Sequence, residues 1–239
     1  MIDTDPVVIL VHGLWHQGAH MGPLADELRT RGIDVHTPTL HRGSLEADTA
    51  AVQEIIDRLP APPLVLGHSY GGAVITEASV RTSRVRHLVY LTAFVPDAGE
   101  SLMDLLGSMP PVEMPLAAAM LPQDDGTSVI DPAGAVAAFY AECEPSVATA
   151  ATLRLSPQPF ATLTQPTTGA GWRTIPSTYV RCTKDQAIDL GHQTHMSTRC
   201  GDVRTIETDH SPFASAAEAT ADILESVSQN VAQTAAVPT

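Results

Sequence analysis

Ser69, at the apex of Gly67-His68-Ser69-Tyr70-Gly71-Gly72, has surroundings that suit a serine to chemistry. The apolar run Leu64-Val65-Leu66 precedes it, and the helical pattern Ala73-Val74-Ile75-Thr76-Glu77-Ala78 follows. The segment therefore reads as strand, tight turn, helix. So sharp a turn brings its flanks close together and requires small residues two before and two after the serine. Gly67 and Gly71 meet that requirement. The turn lifts the Ser69 hydroxyl clear of the sheet and aims the Tyr70 N–H at whatever the serine attacks. A bare G-x-S-x-G match says little, because both residue types are common in loops. The flanking strand and helix make it specific.

A serine hydroxyl is a weak nucleophile at neutral pH. It needs a base within reach and a third group to orient that base. Asp185 lies in Cys182-Thr183-Lys184-Asp185-Gln186, after an expected strand at 178–182. His210 lies in Glu207-Thr208-Asp209-His210-Ser211, after an expected strand at 203–206. In an open parallel sheet Ser69, Asp185 and His210 would meet at one edge, where ligands bind. Among the other acids, Asp97 follows an expected strand at 87–94 and is second choice for the orienting group. Asp189 falls in a helical pattern, and Asp209 is expected to point away from its neighbour. An acyl-transfer transition state also needs two N–H donors for its oxyanion. Tyr70 supplies one. Leu14, in His12-Gly13-Leu14-Trp15-His16 after the first strand, is the candidate for the other, with Gly13 allowing close approach.

The elements that must position these groups are readable in order. Val7-Val8-Ile9-Leu10-Val11 is an apolar, β-branched run suited to a strand buried on both faces. A helix fits 21–31, a short strand 33–38, a helix 47–59, the strand 64–66 and its elbow helix, then a strand at 87–94. This alternation implies a doubly wound, mostly parallel sheet of about six strands in a single domain spanning 1–239. From 97 to 172 the rhythm stops. Helical pieces at 101–106, 132–141 and 146–153, many prolines and no convincing strand point to a helical cap inserted between core strands. Alternation resumes with the strand at 178–182, a helix within 187–198, the strand at 203–206 and a helix over 212–231. The tail 232–239 is expected to fray.

Composition narrows the function classes. The chain has 239 residues, 44% hydrophobic and 17% charged, with a formal net charge of −14. An acidic protein of this kind would repel a phosphate backbone, so no nucleic-acid partner is expected. No apolar stretch is long enough to span a membrane. The N-terminal residues carry two acids and no basic n-region, so no signal peptide is expected and the expected location is cytoplasmic. Cys143, Cys182 and Cys200 are odd in number and form no C-x-x-C, so they suggest neither a disulfide framework nor a zinc site. His12, His16 and His20 recur every four residues. His12 ends a strand, however, so one helix cannot carry all three, and no metal site is expected. Trp15, His16, His68 and Phe94 flank the expected crevice. Met120, with Met103, Leu105, Leu106, Met109, Met114 and Leu121, forms an apolar set in the insertion. These are the candidates for substrate contact, and packing explains each equally well.

Taken together, the His12-Gly13 loop, the Ser69 elbow, the Asp185 loop and Asp209-His210 resemble the α/β-hydrolase superfamily. Within it the chain is similar to the branch of plant methylesterases, hydroxynitrile lyases and small bacterial esterases. The resemblance implies a cap over the active site, no metal and no organic cofactor. It implies Ser69 as nucleophile, His210 as base, Asp185 as orienting acid, and the Leu14 and Tyr70 amides as oxyanion donors. The sequence starts at the strand leading to His12-Gly13, so the two leading antiparallel strands of larger members are not expected. Lyases of this branch carry a lysine after the base histidine and a threonine in the oxyanion loop. The corresponding residues here are Ser211 and Gly13, which favours ester hydrolysis. The expectation is a carboxylic-ester hydrolase that acts through an acyl-enzyme on Ser69, takes a small-to-medium, rather apolar ester, and is a monomer or homodimer. Two other readings stay open. One is a lyase or cyclase using the same serine and histidine without an acyl-enzyme. The other is a ligand-binding protein with vestigial turnover.

Overall fold

The computed structural model describes residues 6–41 and 43–235, with the backbone alone for 231–235. The reading of the N-terminal residues before Pro6 therefore falls outside the described residues. Strand β1 (Val7–Val11) leads to helix α1 (Gly22–Thr30), β2 (Asp34–His36) and α2 (Leu45–Arg58). The Ser44 hydroxyl caps α2 by accepting from the Ala47 N–H at 3.0 Å, which starts the helix two residues before its apolar stripe suggests. Then come β3 (Leu64–His68), α3 (Gly71–Val80) and β4 (His87–Leu91).

A long excursion follows. It holds α4 (Leu102–Gly107), α5 (Pro115–Ala119), β5 (Met120–Pro122), β6 (Thr127–Ile130), α6 (Pro132–Phe139), α7 (Pro145–Thr152), β7 (Gln158–Pro159) and α8 (Ala161–Thr164). Proline opens α5, α6 and α7, where its missing N–H is no loss. The chain then returns to β8 (Ser177–Cys182), α9 (Leu190–Ser197), β9 (Asp202–Ile206), α10 (Pro212–Ser215) and α11 (Ala217–Ala235). The single helix expected over 212–231 is thus two, broken at Ala216, which has φ of −145°. Residues 232–235 continue α11 rather than fray, and 236–239 lie outside the described residues.

The main sheet has six parallel strands in the order β2-β1-β3-β4-β8-β9. Alternate residues of each strand face opposite layers. Ile9, Val11, Val65, Leu88 and Tyr90 pack with α2, α3 and the excursion, whereas Val8, Leu10, Leu66, Val89 and Leu91 pack with α1 and α11. Every residue of β3 and β4 is buried, as the unbroken apolar runs require of central strands. The edge strand β9 alternates between half-buried and exposed. The excursion is not purely helical. Its strands β5, β6 and β7 form a three-stranded antiparallel sheet. They are two to four residues long, too short to show any periodicity in the sequence. Among the described residues no helix is long and apolar enough to cross a membrane.

Candidate active site

The loops after β1, β3, β4, β8 and β9 all leave the same edge of the main sheet, and the site lies there. Between β3 and α3 the chain turns at Ser69, whose φ is 54°. A non-glycine residue in that left-handed region costs about 1–3 kcal/mol and persists only where its surroundings fix it. Here they do. The Ser69 N–H donates to the Leu91 carbonyl at 3.3 Å, and its own carbonyl accepts from the Gly72 and Phe94 N–H groups at 3.0 and 3.1 Å. A Cβ on Gly67 would lie 2.4 Å from the Gly71 carbonyl oxygen, and one on Gly72 would lie 2.1 Å from that of Phe94. The elbow therefore closes only with glycine at these positions. Behind it, the buried Tyr70 hydroxyl donates to Asp48 Oδ2 on α2 at 2.9 Å.

Asp185 and His210 are both buried, and the imidazole Nδ1–H donates to Asp185 Oδ2 at 2.7 Å. The rest of the carboxylate is also used. Oδ1 accepts from the Ala187 and Ile188 N–H groups at 2.7 and 2.8 Å, and Oδ2 also accepts from the Thr92 hydroxyl. Thr92 directly follows β4 with φ of 38°, a second left-handed residue at this edge. Nothing in the sequence marked it, because its bond to Asp185 spans 93 positions. Asp97, the second choice for the acid, instead pairs with Arg173, whose Nε donates to it at 2.9 Å. That guanidinium holds the Asp97 carboxyl below its ordinary range. Asp209 turns away from the imidazole and accepts from the Glu142 N–H at 2.8 Å and the Ser215 hydroxyl at 2.7 Å. Asp189 caps α9, accepting from the Gly191 N–H at 2.7 Å.

The loop after β1 runs alongside the elbow. A Cβ on Gly13 would lie 2.7 Å from Ser69 Cβ. Bonding partners settle the state of the histidines here. The Leu40 N–H donates to His12 Nε2 at 3.0 Å, so the proton is on Nδ1, which donates to the Gly13 carbonyl at 2.8 Å. His16 Nδ1 faces the Leu14 carbonyl at 2.8 Å and must likewise carry hydrogen. Burial, and then His20 and His68 nearby, push the His16 pKa well below 6.5, so its Nε2 is bare and accepts from the Tyr140 hydroxyl at 2.9 Å. Leu14 therefore sits between two peptide planes, each held at its carbonyl by an imidazole. In a planar trans peptide the N–H points opposite to the carbonyl, so fixing the Gly13 carbonyl also fixes the Leu14 N–H. His68 is also kept neutral, by burial first and His210 second, and donates from Nε2 to the His210 carbonyl at 2.7 Å. His20 accepts from the Gln17 N–H at 2.9 Å and reaches the Ala151 carbonyl at 3.1 Å. Among the described residues no group of three or more His, Cys, Asp or Glu side chains is placed to hold a metal ion.

A cavity of about 230 Å³ opens between this edge and the excursion. Ser69, Leu14, Trp15, Phe94 and Met120 line it, as do Met103, Leu106, Met114, Ile188 and His192. Ser69 and His192 bring the polar side chains, and His192 Nε2 is held by the Pro110 carbonyl at 2.8 Å. Two expected contacts are not in the lining. His16 and His68 are 1% and 0% exposed; both His16 ring nitrogens and His68 Nε2 bond within the protein, and His68 Nδ1 is buried without a hydrogen-bond partner. For His16 the reason is Trp15. Its φ of 61° turns the chain so that the indole faces the cavity and the next side chain faces inward. Within the methionine-bearing set, Leu105 and Met109 pack into the core and Leu121 is largely exposed.

The pattern of the alpha/beta hydrolase family matches residues 8–223. An alpha/beta hydrolase of Aspergillus novofumigatus, nvfD, is 28% identical over 232 residues, which cover 88% of this chain and 91% of the relative. A carbendazim hydrolyzing esterase of a Nocardioides species is 39% identical over 119 residues, 44% of this chain and 49% of the relative. The crystal structure of a pyrethroid hydrolase from Sphingobium faniae superposes with a TM-score of 0.81 at 22% identity, covering 96% of this chain and all of the other. At that identity the likeness speaks to the fold.

Proposed function

The chain belongs to the alpha/beta hydrolase family, and from that premise we propose that it is a carboxylic-ester hydrolase working through an acyl-enzyme on Ser69. The observation that carries the proposal is the buried Asp185–His210 pair, bonded at 2.7 Å at the sheet edge where Ser69 opens into an apolar cavity. In the proposed sequence Ser69 Oγ attacks the ester carbonyl while His210 Nε2 takes its proton. Asp185 holds the tautomer that leaves Nε2 free and stabilises the imidazolium. The Leu14 and Tyr70 N–H groups receive the charge that develops on the carbonyl oxygen. His210 then protonates the leaving alcohol, and later takes a proton from the water that releases the acid.

The excursion over 97–172 serves as the cap of this proposal. Its methionines and leucines make the cavity ceiling apolar, and about 230 Å³ suits a small-to-medium ester. A relative of similar sequence is named a carbendazim hydrolyzing esterase, which supports ester hydrolysis as the class of reaction here. Cyanohydrin cleavage is disfavoured. A threonine at Gly13 would drive its Cβ into Ser69, and Ser211, which follows the base, is fully buried. The test is Ser69→Ala. Turnover of p-nitrophenyl butyrate should fall to background while the melting temperature holds. Retained turnover would contradict the proposal.

A further inference from the structure

The loop that carries Leu14 is held by residues far along the chain. Trp15 Nε1 donates to the Ser128 carbonyl at 3.2 Å and hydroxyl at 3.1 Å. The Ser156 N–H donates to the Trp15 carbonyl at 2.8 Å, and Gln17 Nε2 to the Arg154 carbonyl at 3.0 Å. His20 reaches the Ala151 carbonyl at 3.1 Å. One link in this set differs from the rest because it passes through a side chain to the peptide beside Leu14. The Tyr140 hydroxyl, at the end of α6, donates to His16 Nε2 at 2.9 Å, and His16 Nδ1–H donates to the Leu14 carbonyl at 2.8 Å. Both rings are 1% exposed and neither lines the cavity.

We infer that Tyr140 and His16 form a relay by which the excursion fixes the Leu14 peptide, making His16 a positioning residue for the oxyanion site rather than a substrate contact. The inference rests on the serine-hydrolase reading above. An N–H donor stabilises the transition state only when it is aimed in advance at the place where charge develops. Leu14 has a free choice of φ and ψ unless the peptide planes on both sides of it are held. His12 holds one from within the loop, and His16 holds the other for as long as Tyr140 keeps its ring in place. The excursion thus acts on catalysis from a distance by holding the peptide that follows Leu14, so that the N–H set by the His12 bond keeps its place, besides shaping the cavity.

The test compares wild type with Tyr140→Phe, His16→Asn and His16→Ala. Asparagine places its amide nitrogen where the imidazole has Nδ1, so it keeps the donor to Leu14 and loses only the Tyr140 link. Each protein is measured for kcat and KM with p-nitrophenyl butyrate and for inhibition by an alkyl trifluoromethyl ketone, which forms a tetrahedral oxyanion adduct with an activated serine. In His16→Ala, kcat should fall by about 10-fold or more. It should fall less in His16→Asn and Tyr140→Phe, with KM within about 2-fold throughout. The inhibition constant of the ketone should rise in step with the loss of kcat/KM. The inference is overturned if asparagine and alanine lose equally, if KM rises while kcat holds, or if ketone affinity does not follow kcat/KM. Tyr140→Phe removes one hydroxyl and keeps the ring, so it decides the matter even where His16→Ala does not fold. A wild-type protein that neither turns over the ester nor binds the ketone would instead overturn the serine-hydrolase reading, and the relay with it.

Discussion

Asp185 accepts hydrogen bonds from two backbone N–H groups, the Thr92 hydroxyl and the His210 imidazole. These contacts fix the direction in which the carboxylate presents Oδ2, and that direction sets the plane of the His210 ring. Thr92 is the contributor most open to test, because valine matches its shape and lacks the hydroxyl. A hydrogen bond to a charged group is worth about 1.5–3 kcal/mol, so Thr92→Val should lower kcat by roughly 10-fold or more. Asp97→Asn should leave kcat within about 2-fold, since that carboxylate is committed to Arg173 away from the imidazole. Steady-state rates on both variants check the pair, and equal losses would contradict this placement of the acid. That Ser69, Asp185 and His210 each follow a strand at one sheet edge was legible in the sequence, because periodicity finds those strands. Thr92 was not, since a threonine after a strand looks like any loop residue until the fold brings Asp185 beside it. His16 was legible as a residue near the site but not as one facing away from it. Its direction depends on the left-handed backbone of Trp15, and no side-chain pattern announces that.

At the scale of elements, the parallel strands were readable because burial on both faces demands unbroken apolar runs, as in β1 and β4. The excursion was readable only as a change of rhythm. Proline opens three of its helices, of which α6 and α7 were expected and α5 was not, whereas β5, β6 and β7 pair through backbone groups over spans too short to carry a pattern. Packing between these elements also makes a prediction about stability. His16 after β1, His68 in β3 and His87 in β4 all have lowered pKa values, with burial the main cause and His87 brought to about 4. Each stays neutral in the fold while the unfolded chain takes up a proton below its ordinary value of 6.5. Stability from this source is therefore complete above about pH 6.5 and declines as pH falls, by up to roughly 1.4 kcal/mol per unit for each group. Asp97 and Glu100 are lowered carboxylates with ordinary values of 3.8 and 4.5, so they add losses only further down. Melting temperature should fall steadily from pH 6.5 to 5, and His87→Gln should make the slope shallower. A flat profile over that window, or an unchanged slope in the variant, would contradict the neutral assignments.

Across the whole molecule, the site exists only because distant segments converge. The Ser69 turn, the Asp185 loop and the His210 loop come from three separate strands, and the excursion holds the fourth piece, the loop of Leu14, through Ser128, Tyr140 and Ser156. The fold class and the single sheet edge followed from the order of strands and helices. How the excursion grips the β1 loop did not, because contacts spanning 113 and 124 positions leave no local trace. The central claim is that this convergence activates Ser69. Treating the intact protein with a fluorophosphonate and locating the adduct by peptide mass spectrometry tests it most directly. The account predicts modification at Ser69, lost in His210→Ala while the variant stays folded. An unmodified Ser69 in folded wild-type protein, or undiminished labelling without the imidazole, would contradict it.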